Sequence, residues 1–258
     1  MDLGIKGKTA LITGGSRGLG RQSALALAAE GVNVAICARG EGTLNQTANE
    51  LKAIGVNVGA YVADLGDESG AADLVGKAEA ELGPIDILVN NVGGSLGTSD
   101  LVSSSLEDFH MVMNANLWSA VALMKYVVPG MQERGWGRAI NISSIFGREY
   151  GGTAPYMAAK AAMIAASKHT SMAVAKDGVT VNSVAPGSIL HAGGTWEKFT
   201  QNNSKEVVDE FIDRNLPMGK FGWPEPVAAA VAFLASTQAD LITGACLNVD
   251  GGQSHNLF

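Results

Sequence analysis

Short apolar runs and amphipathic stretches alternate along this chain from end to end. TALIT (9–13), VNVAICA (32–38), VNVGAYVAD (56–64), IDILVNN (85–91), GRAINIS (137–143), VTVNSVAP (179–186) and CLNVDGG (246–252) have β-type composition. Helical patterns separate them. GLGRQSALALAAEG (18–31) and TLNQTANELKAIG (43–55) each close on a glycine, and DESGAADLVGKAEAELG (67–83) and PEPVAAAVAFLAS (224–236) follow the same design. Residues 104–135 read as one long helix opened by a capping box, Ser104-x-x-Glu107. A further helix starts at Pro155, a residue suited to a first helical turn, and carries Tyr156-x-x-x-Lys160.

Strands that are apolar on both faces, joined by helical crossovers, predict an α/β fold: a doubly wound, seven-stranded parallel sheet with helices on both faces. No shift of composition marks a linker, so 1–258 reads as a single domain. The rhythm breaks only at 187–222. That stretch is too long for a plain connector and predicts a substrate-binding loop or lid inserted after the sixth strand.

Composition narrows the function classes. Apolar residues make up 47% and charged residues 17%, as expected of a folded globular chain. A net charge of −7 without any run of like charge argues against nucleic acid or an anionic membrane as partner. Cys37 and Cys246 both lie in apolar runs and read as small buried hydrophobes, which favours a reducing compartment. The first strand begins at Thr9, which predicts no leader ahead of the fold, and no apolar run approaches the roughly 20 residues of a membrane span. A cytoplasmic protein is expected. The four histidines (His110, His169, His191 and His255) have no ligand-like spacing, so no metal site is expected.

Between the first strand and the first helix lies Thr13-Gly14-Gly15-Ser16-Arg17-Gly18-Leu19-Gly20. Glycines at a strand-to-helix turn let backbone approach a pyrophosphate, while the helix end offers free N–H groups and a positive dipole. After the first strand of a parallel sheet, that turn points to a dinucleotide. An acid closing the second strand would bind a ribose 2′-hydroxyl. Here the strand closes on Ala38 with Arg39 following, and Arg17 adds a second cation. Two arginines and no acid favour a 2′-phosphate, and hence NADP(H) over NAD(H).

With these features in order, the sequence resembles the short-chain dehydrogenase/reductase family in its single-domain form, especially reductases similar to 3-oxoacyl-acyl-carrier-protein reductase. TGGSRGLG matches the family's TGxxxGxG turn, and Asp64 in VADL matches its adenine-contacting acid. NNVG (90–93) matches the Asn-Asn-Ala-Gly motif with Val92 for Ala, and MNANLWSA places Asn116 at the family's helix asparagine. NISSIFG carries the serine; the Ser-x-x-Gly pattern selects Ser144, with Gly147, over Ser143. YMAAK supplies Tyr156 and Lys160, and APGSI (185–189) the Pro-Gly turn.

The resemblance implies a Rossmann-type fold, a homotetramer or homodimer, and a catalytic set of Asn116, Ser144, Tyr156 and Lys160. It places the cofactor against Gly14, Ser16, Arg17, Gly18, Leu19, Gly20, Arg39, Asp64, Leu65, Asn91, Tyr156, Lys160, Pro186, Gly187 and Ile189. A carbonyl that accepts hydride needs a proton donor, and a lysine four residues on shares a helix face with the tyrosine and draws its pKa down. Ser144 would steady the substrate oxygen, and Asn116 would hold a relay water. The expected activity is NADP(H)-dependent interconversion of a ketone and a secondary alcohol, with 3-oxoacyl-carrier-protein reduction as the alternative. A non-catalytic NADP-binding regulator is a further alternative, disfavoured by the intact Tyr, Lys and Ser. His191 stands where the family often has a threonine that contacts the nicotinamide carboxamide. Phe146, Tyr150, His191, Trp196, Phe199 and Phe211 are the candidate walls of a substrate pocket.

Overall fold

The computed structural model describes residues 2–66 and 68–257. Its strands are β1 (Thr9–Thr13), β2 (Asn33–Ala38), β3 (Val58–Val62), β4 (Ile87–Asn90), β5 (Gly137–Ile142), β6 (Val179–Pro186) and β7 (Cys246–Val249). All are parallel, in the order β3-β2-β1-β4-β5-β6-β7. The helices are α1 (Gly18–Ala29), α2 (Glu41–Ile54), α3 (Glu68–Leu82), α4 (Leu106–Met113), α5 (Ser119–Glu133), α6 (Ala154–Val174), α7 (Thr195–Asn202), α8 (Lys205–Asn215) and α9 (Pro224–Ala235).

Strand alternation divides the core between the two faces. Ala10 and Ile12 of β1 and Val34 and Ile36 of β2 pack with Leu27 of α1 and Val227 and Val231 of α9. The intervening Leu11, Ala35 and Cys37 point to the other face, against Leu74 of α3 and Leu123 and Val127 of α5. Burial pushes the Cys37 thiol up to about 12, so it behaves as a small hydrophobe; Cys246 is only half-buried, and both are free. The order of strands reverses between β1 and β4. The crevice opens there, outside the carboxyl ends of the strands.

Two expectations need correction. The run 104–135 is not one helix: a π turn, Asn114–Trp118, separates α4 from α5. The capping box is displaced by one residue. Ser105 is the N-cap, accepting from the Asp108 N–H at 3.1 Å, while the Asp108 carboxylate accepts from the Ser105 N–H at 2.8 Å. By length and composition, Leu106–Glu133 could cross a membrane, but it packs in this fold as a core helix pair, 56% buried over its most apolar stretch.

The insertion 187–222 folds into α7 and α8, held together by their own rings. Trp196 lies 5.6 Å from Phe199, 4.7 Å from Phe211 and 5.3 Å from Phe221, centroid to centroid. Trp196, Phe199 and Phe211 thus pack on one another, half-buried, and join α7 to α8. Tyr150 fails as a wall residue, since it is 93% exposed.

Candidate active site

The glycine turn is locked from β4. Asn91 donates through Nδ2 to the Thr13 carbonyl (2.9 Å) and, more weakly, to the Gly14 carbonyl (3.4 Å). The Thr13 hydroxyl accepts from the N–H groups of Asn91 and Val92 at 2.9 and 3.0 Å. Gly20 is required by packing, because a Cβ there would strike the Gly14 carbonyl and the Asn91 amide. Asn91 therefore shapes the turn directly, and Thr13, absent from the expected set, is its partner. A threonine that closes a buried strand ahead of the glycines was the available signal.

The turn has the properties of an anion seat. Gly14 and Gly18 take φ of +64° and +56°. Arg17, the N-cap of α1, is extended, and no side chain caps the helix and no acid lies in its first turn. The N-terminal N–H groups of α1 are thereby left to a ligand. Ser16 directs its carbonyl to the Thr47 hydroxyl at 3.2 Å, and Leu19 packs on the core. Arg39 is exposed just past β2. Leu65 is buried, and Asp64 accepts from the Gly66 N–H at 3.1 Å in a local turn. These residues fit a nicotinamide dinucleotide with a cationic end for a 2′-phosphate.

Lys160 marks the opposite end of the crevice. It is 3% exposed, and its Nζ donates to the Ile142 carbonyl at 2.8 Å, the last residue of β5. Its approach to the site passes Gly93, where a Cβ would meet both Lys160 Nζ (3.0 Å) and Asn116 Oδ1. Asn116 sits in the π turn, fully buried. Its Nδ2 donates to the carbonyls of Gly94 (2.9 Å) and Val112 (2.8 Å), and its Oδ1 accepts from the Gly94 N–H at 2.9 Å. An amide side chain that takes a carbonyl from its own helix accounts for the widened turn.

Ser144 caps a short 3₁₀ turn, Ile145–Gly147, with its hydroxyl accepting from the Phe146 N–H at 3.2 Å. Gly147 lets that turn touch α6, since a Cβ would lie 2.8 Å from the Lys160 carbonyl. The two serines separate cleanly. Ser143 points away and donates to the Lys160 carbonyl at 3.1 Å, whereas Ser144 lies on the side of the Tyr156 phenol and bears on its protonation.

Burial raises the phenol of Tyr156 above its ordinary value, and the hydroxyl of Ser144 pulls it part of the way back. Lys160 Nζ lies 5.6 Å from the Tyr156 ring centroid. Burial draws Lys160 itself down to about 7. The net shift of the phenol is thus upward, set by burial, and Tyr156 holds its proton. A neutral phenol beside a hydroxyl and a weakly basic amine can donate a proton to an oxygen in the crevice.

Beneath these groups runs a polar ladder that the sequence reading missed. Asn90 donates to Asn141 (2.8 Å), which donates to Ser167 (2.8 Å), joining β4, β5 and α6 inside the core. The Pro186-Gly187 turn is fixed by Gln253, whose Oε1 accepts from the Ser188 N–H at 2.7 Å. Ile189 buries its side chain against the core, so only its backbone is available to a ligand.

Known proteins resemble this chain in sequence and fold. A family profile described as enoyl-(acyl carrier protein) reductase matches residues 14–254. Acetoacetyl-CoA reductase of Shinella zoogloeoides is 36% identical over 249 residues, 95% of this chain and 98% of the relative. The 3-oxoacyl-(acyl-carrier-protein) reductase of Rickettsia felis is 38% identical over 251 residues, 96% of this chain and 97% of the relative. Among solved structures, L-sorbose reductase from Gluconobacter frateurii, complexed with NADPH and L-sorbose, matches over 100% of both chains with a TM-score of 0.93 and 32% identity. The chain belongs to the short-chain dehydrogenase/reductase family. It is an oxidoreductase acting on the alcohol–carbonyl pair.

The buried amine gives a pH-dependent prediction. A lysine with a value of about 7 folded and 10.5 unfolded binds fewer protons when folded, between those limits. The destabilisation it causes is thus full below about 7 and fades as pH rises toward 10.5. Lys160→Met should gain stability over the wild type most at about pH 6.5, and the gap should shrink by on the order of 3 kcal/mol by about pH 9.5. Urea unfolding at both pH values measures it, and an equal gap at the two would contradict the buried charge.

Proposed function

We propose that this protein reduces a ketone to a secondary alcohol with NADP(H), and catalyses the reverse oxidation, through a proton held on Tyr156. The observation that carries this reading is the trio at the crevice: Ser144 beside a half-buried Tyr156 phenol whose protonated form is favoured, with Lys160 buried behind it. When bound, NADPH supplies the hydride that the carbonyl carbon receives. Ser144 donates a hydrogen bond to the carbonyl oxygen and holds it beside the phenol. Tyr156 gives that oxygen its proton, completing the alcohol, and the Lys160 ammonium stabilises the phenolate left behind. Asn116 holds the Gly93–Gly94 backbone against Lys160 and, in this reading, the water through which the pair recovers its proton.

The glycine turn, with Gly14, Ser16, Gly18, Leu19 and Gly20, seats the diphosphate in this reading. Arg17 and Arg39 take the 2′-phosphate, Asp64 and Leu65 flank the adenine, and Pro186, Gly187 and Ile189 back the nicotinamide. The insertion 187–222 serves as substrate lid. A 3-oxoacyl thioester is the substrate class favoured by the acetoacetyl-CoA and 3-oxoacyl-carrier-protein reductases among the relatives. Turnover of acetoacetyl-CoA against a panel of simple ketones and sugars separates this class from a catabolic dehydrogenase.

The assembly proposed is a cytoplasmic homotetramer built on α5 and α6. Trp118, at the start of α5, is 53% exposed and Met172 of α6 is 71% exposed, leaving large apolar side chains on the helices that would pack between chains. Light scattering should return the mass of four chains; the mass of a single chain would rule this assembly out.

Two substitutions test the chemistry. Tyr156→Phe should lower ketone reduction by about a thousandfold or more while the NADPH dissociation constant stays within about twofold. Retained turnover would remove Tyr156 as the proton donor. Arg39→Asp should weaken NADPH by at least about tenfold and leave NADH nearly unchanged, measured by fluorescence titration. Equal losses for both would refute the 2′-phosphate role.

A further inference from the structure

His191 follows the Pro186-Gly187 turn and is half-buried. It lies across the first residue of α1. A Cβ built on Gly18 would come within 2.7 Å of its Cε1, 2.8 Å of Nδ1 and 2.9 Å of Nε2. Two residues further on, Gly193 is pressed against the Arg17 guanidinium, and its N–H donates to the Glu197 carboxylate of α7 at 2.7 Å. The loop at the root of the lid thus rests on the glycine turn, at a helix end that no side chain of its own caps.

The ring is oriented by its backbone. Nδ1 lies 3.1 Å from the Ala192 carbonyl and donates to it, which leaves Nε2 as the nitrogen available to a ligand. With Nδ1 donating to the backbone, Nε2 donates to an oxyanion only when the ring carries both protons, as an imidazolium. The Gly18 side of the crevice is where a diphosphate belongs, whereas Lys160, Tyr156 and the Ile189 backbone mark the nicotinamide side.

We propose that His191 is a cofactor-binding residue that grips the diphosphate of NADP(H) through Nε2, together with Arg17 and the α1 N-terminus, and so ties the root of the lid to the bound dinucleotide. The assignment rests on the NADP(H) reading above. It differs from a threonine at this position in the part of the cofactor that is held: the diphosphate, not the carboxamide.

Three ligands separate the possibilities by calorimetric or fluorescence titration of the full chain: NADPH, 2′-phospho-ADP-ribose, which has the diphosphate but no nicotinamide, and 2′-AMP, which has neither. His191→Ala should weaken NADPH and 2′-phospho-ADP-ribose alike, by about tenfold, the loss of one charge-assisted hydrogen bond. Binding of 2′-AMP should not change. His191→Gln, which restores an uncharged donor, should recover part of the loss. A loss confined to NADPH would place the ring on the nicotinamide and overturn the proposal. So would unchanged binding of all three ligands, or a loss that extends to 2′-AMP, since the fault would then lie in the folding of the turn. A wild-type protein that binds NADH but none of the three would instead overturn the NADP(H) reading, and this proposal with it.

Discussion

The Lys160 ammonium is the constraint around which the rest of the site is arranged. It lies almost wholly out of water, where an amine is disfavoured in its charged form unless a partner is supplied. The partner is the Ile142 carbonyl, free because β5 ends there and the chain turns away into the Ser144 cap. Helix α6 must therefore approach the end of the sheet closely. Gly147 permits the approach on one side and Gly93 on the other. A side chain larger than hydrogen at either position would move the amine or the strand that holds it.

The same approach sets Tyr156. One helical turn before Lys160, it is carried to the mouth of the crevice beside Ser144, half-buried by surface area yet surrounded densely enough to keep its proton. Asn116 completes the arrangement from the far side, at the cost of regular helix geometry over Asn114–Trp118. Its bonds to both backbone groups of Gly94 fix the loop that leaves β4, and Asn91, the first residue of that loop, shapes the glycine turn. The dinucleotide seat and the acid–base site are in this way two ends of one hydrogen-bonded edge. The ladder Asn90–Asn141–Ser167 below it supplies polar contacts that only one register of β4, β5 and α6 can satisfy.

Much of this was legible in the sequence because parallel strands covered on both faces read as short, continuous apolar runs. All seven appear in TALIT through CLNVDGG, with ends displaced by a few residues. The ordered motifs likewise brought the glycine turn, Asn116, Ser144, Tyr156 and Lys160 to one crevice. What escaped was tertiary in origin. The π turn carries the Asn116 side chain, bonded to Val112 of its own helix and to Gly94, 22 residues away, and no helical periodicity encodes the second contact. The capping box slipped because Ser104-x-x-Glu107 and Ser105-x-x-Asp108 satisfy the same pattern, one residue apart. Trp196 and Phe199 are spaced to share a helix face, so the stripe was visible, but its contact with Phe211 of the neighbouring helix was not.

The central claim is that Lys160 is buried behind Tyr156 at the proton-donating site. The most direct test is the titration of Lys160 in the free protein, followed by NMR on ¹³C-labelled lysine, with the resonance assigned by its absence from Lys160→Met. A midpoint near 7, well below that of the remaining lysines, is the result expected from the buried amine. A midpoint at 10.5, as for an amine in water, would show that Lys160 is not buried as described and would contradict the account.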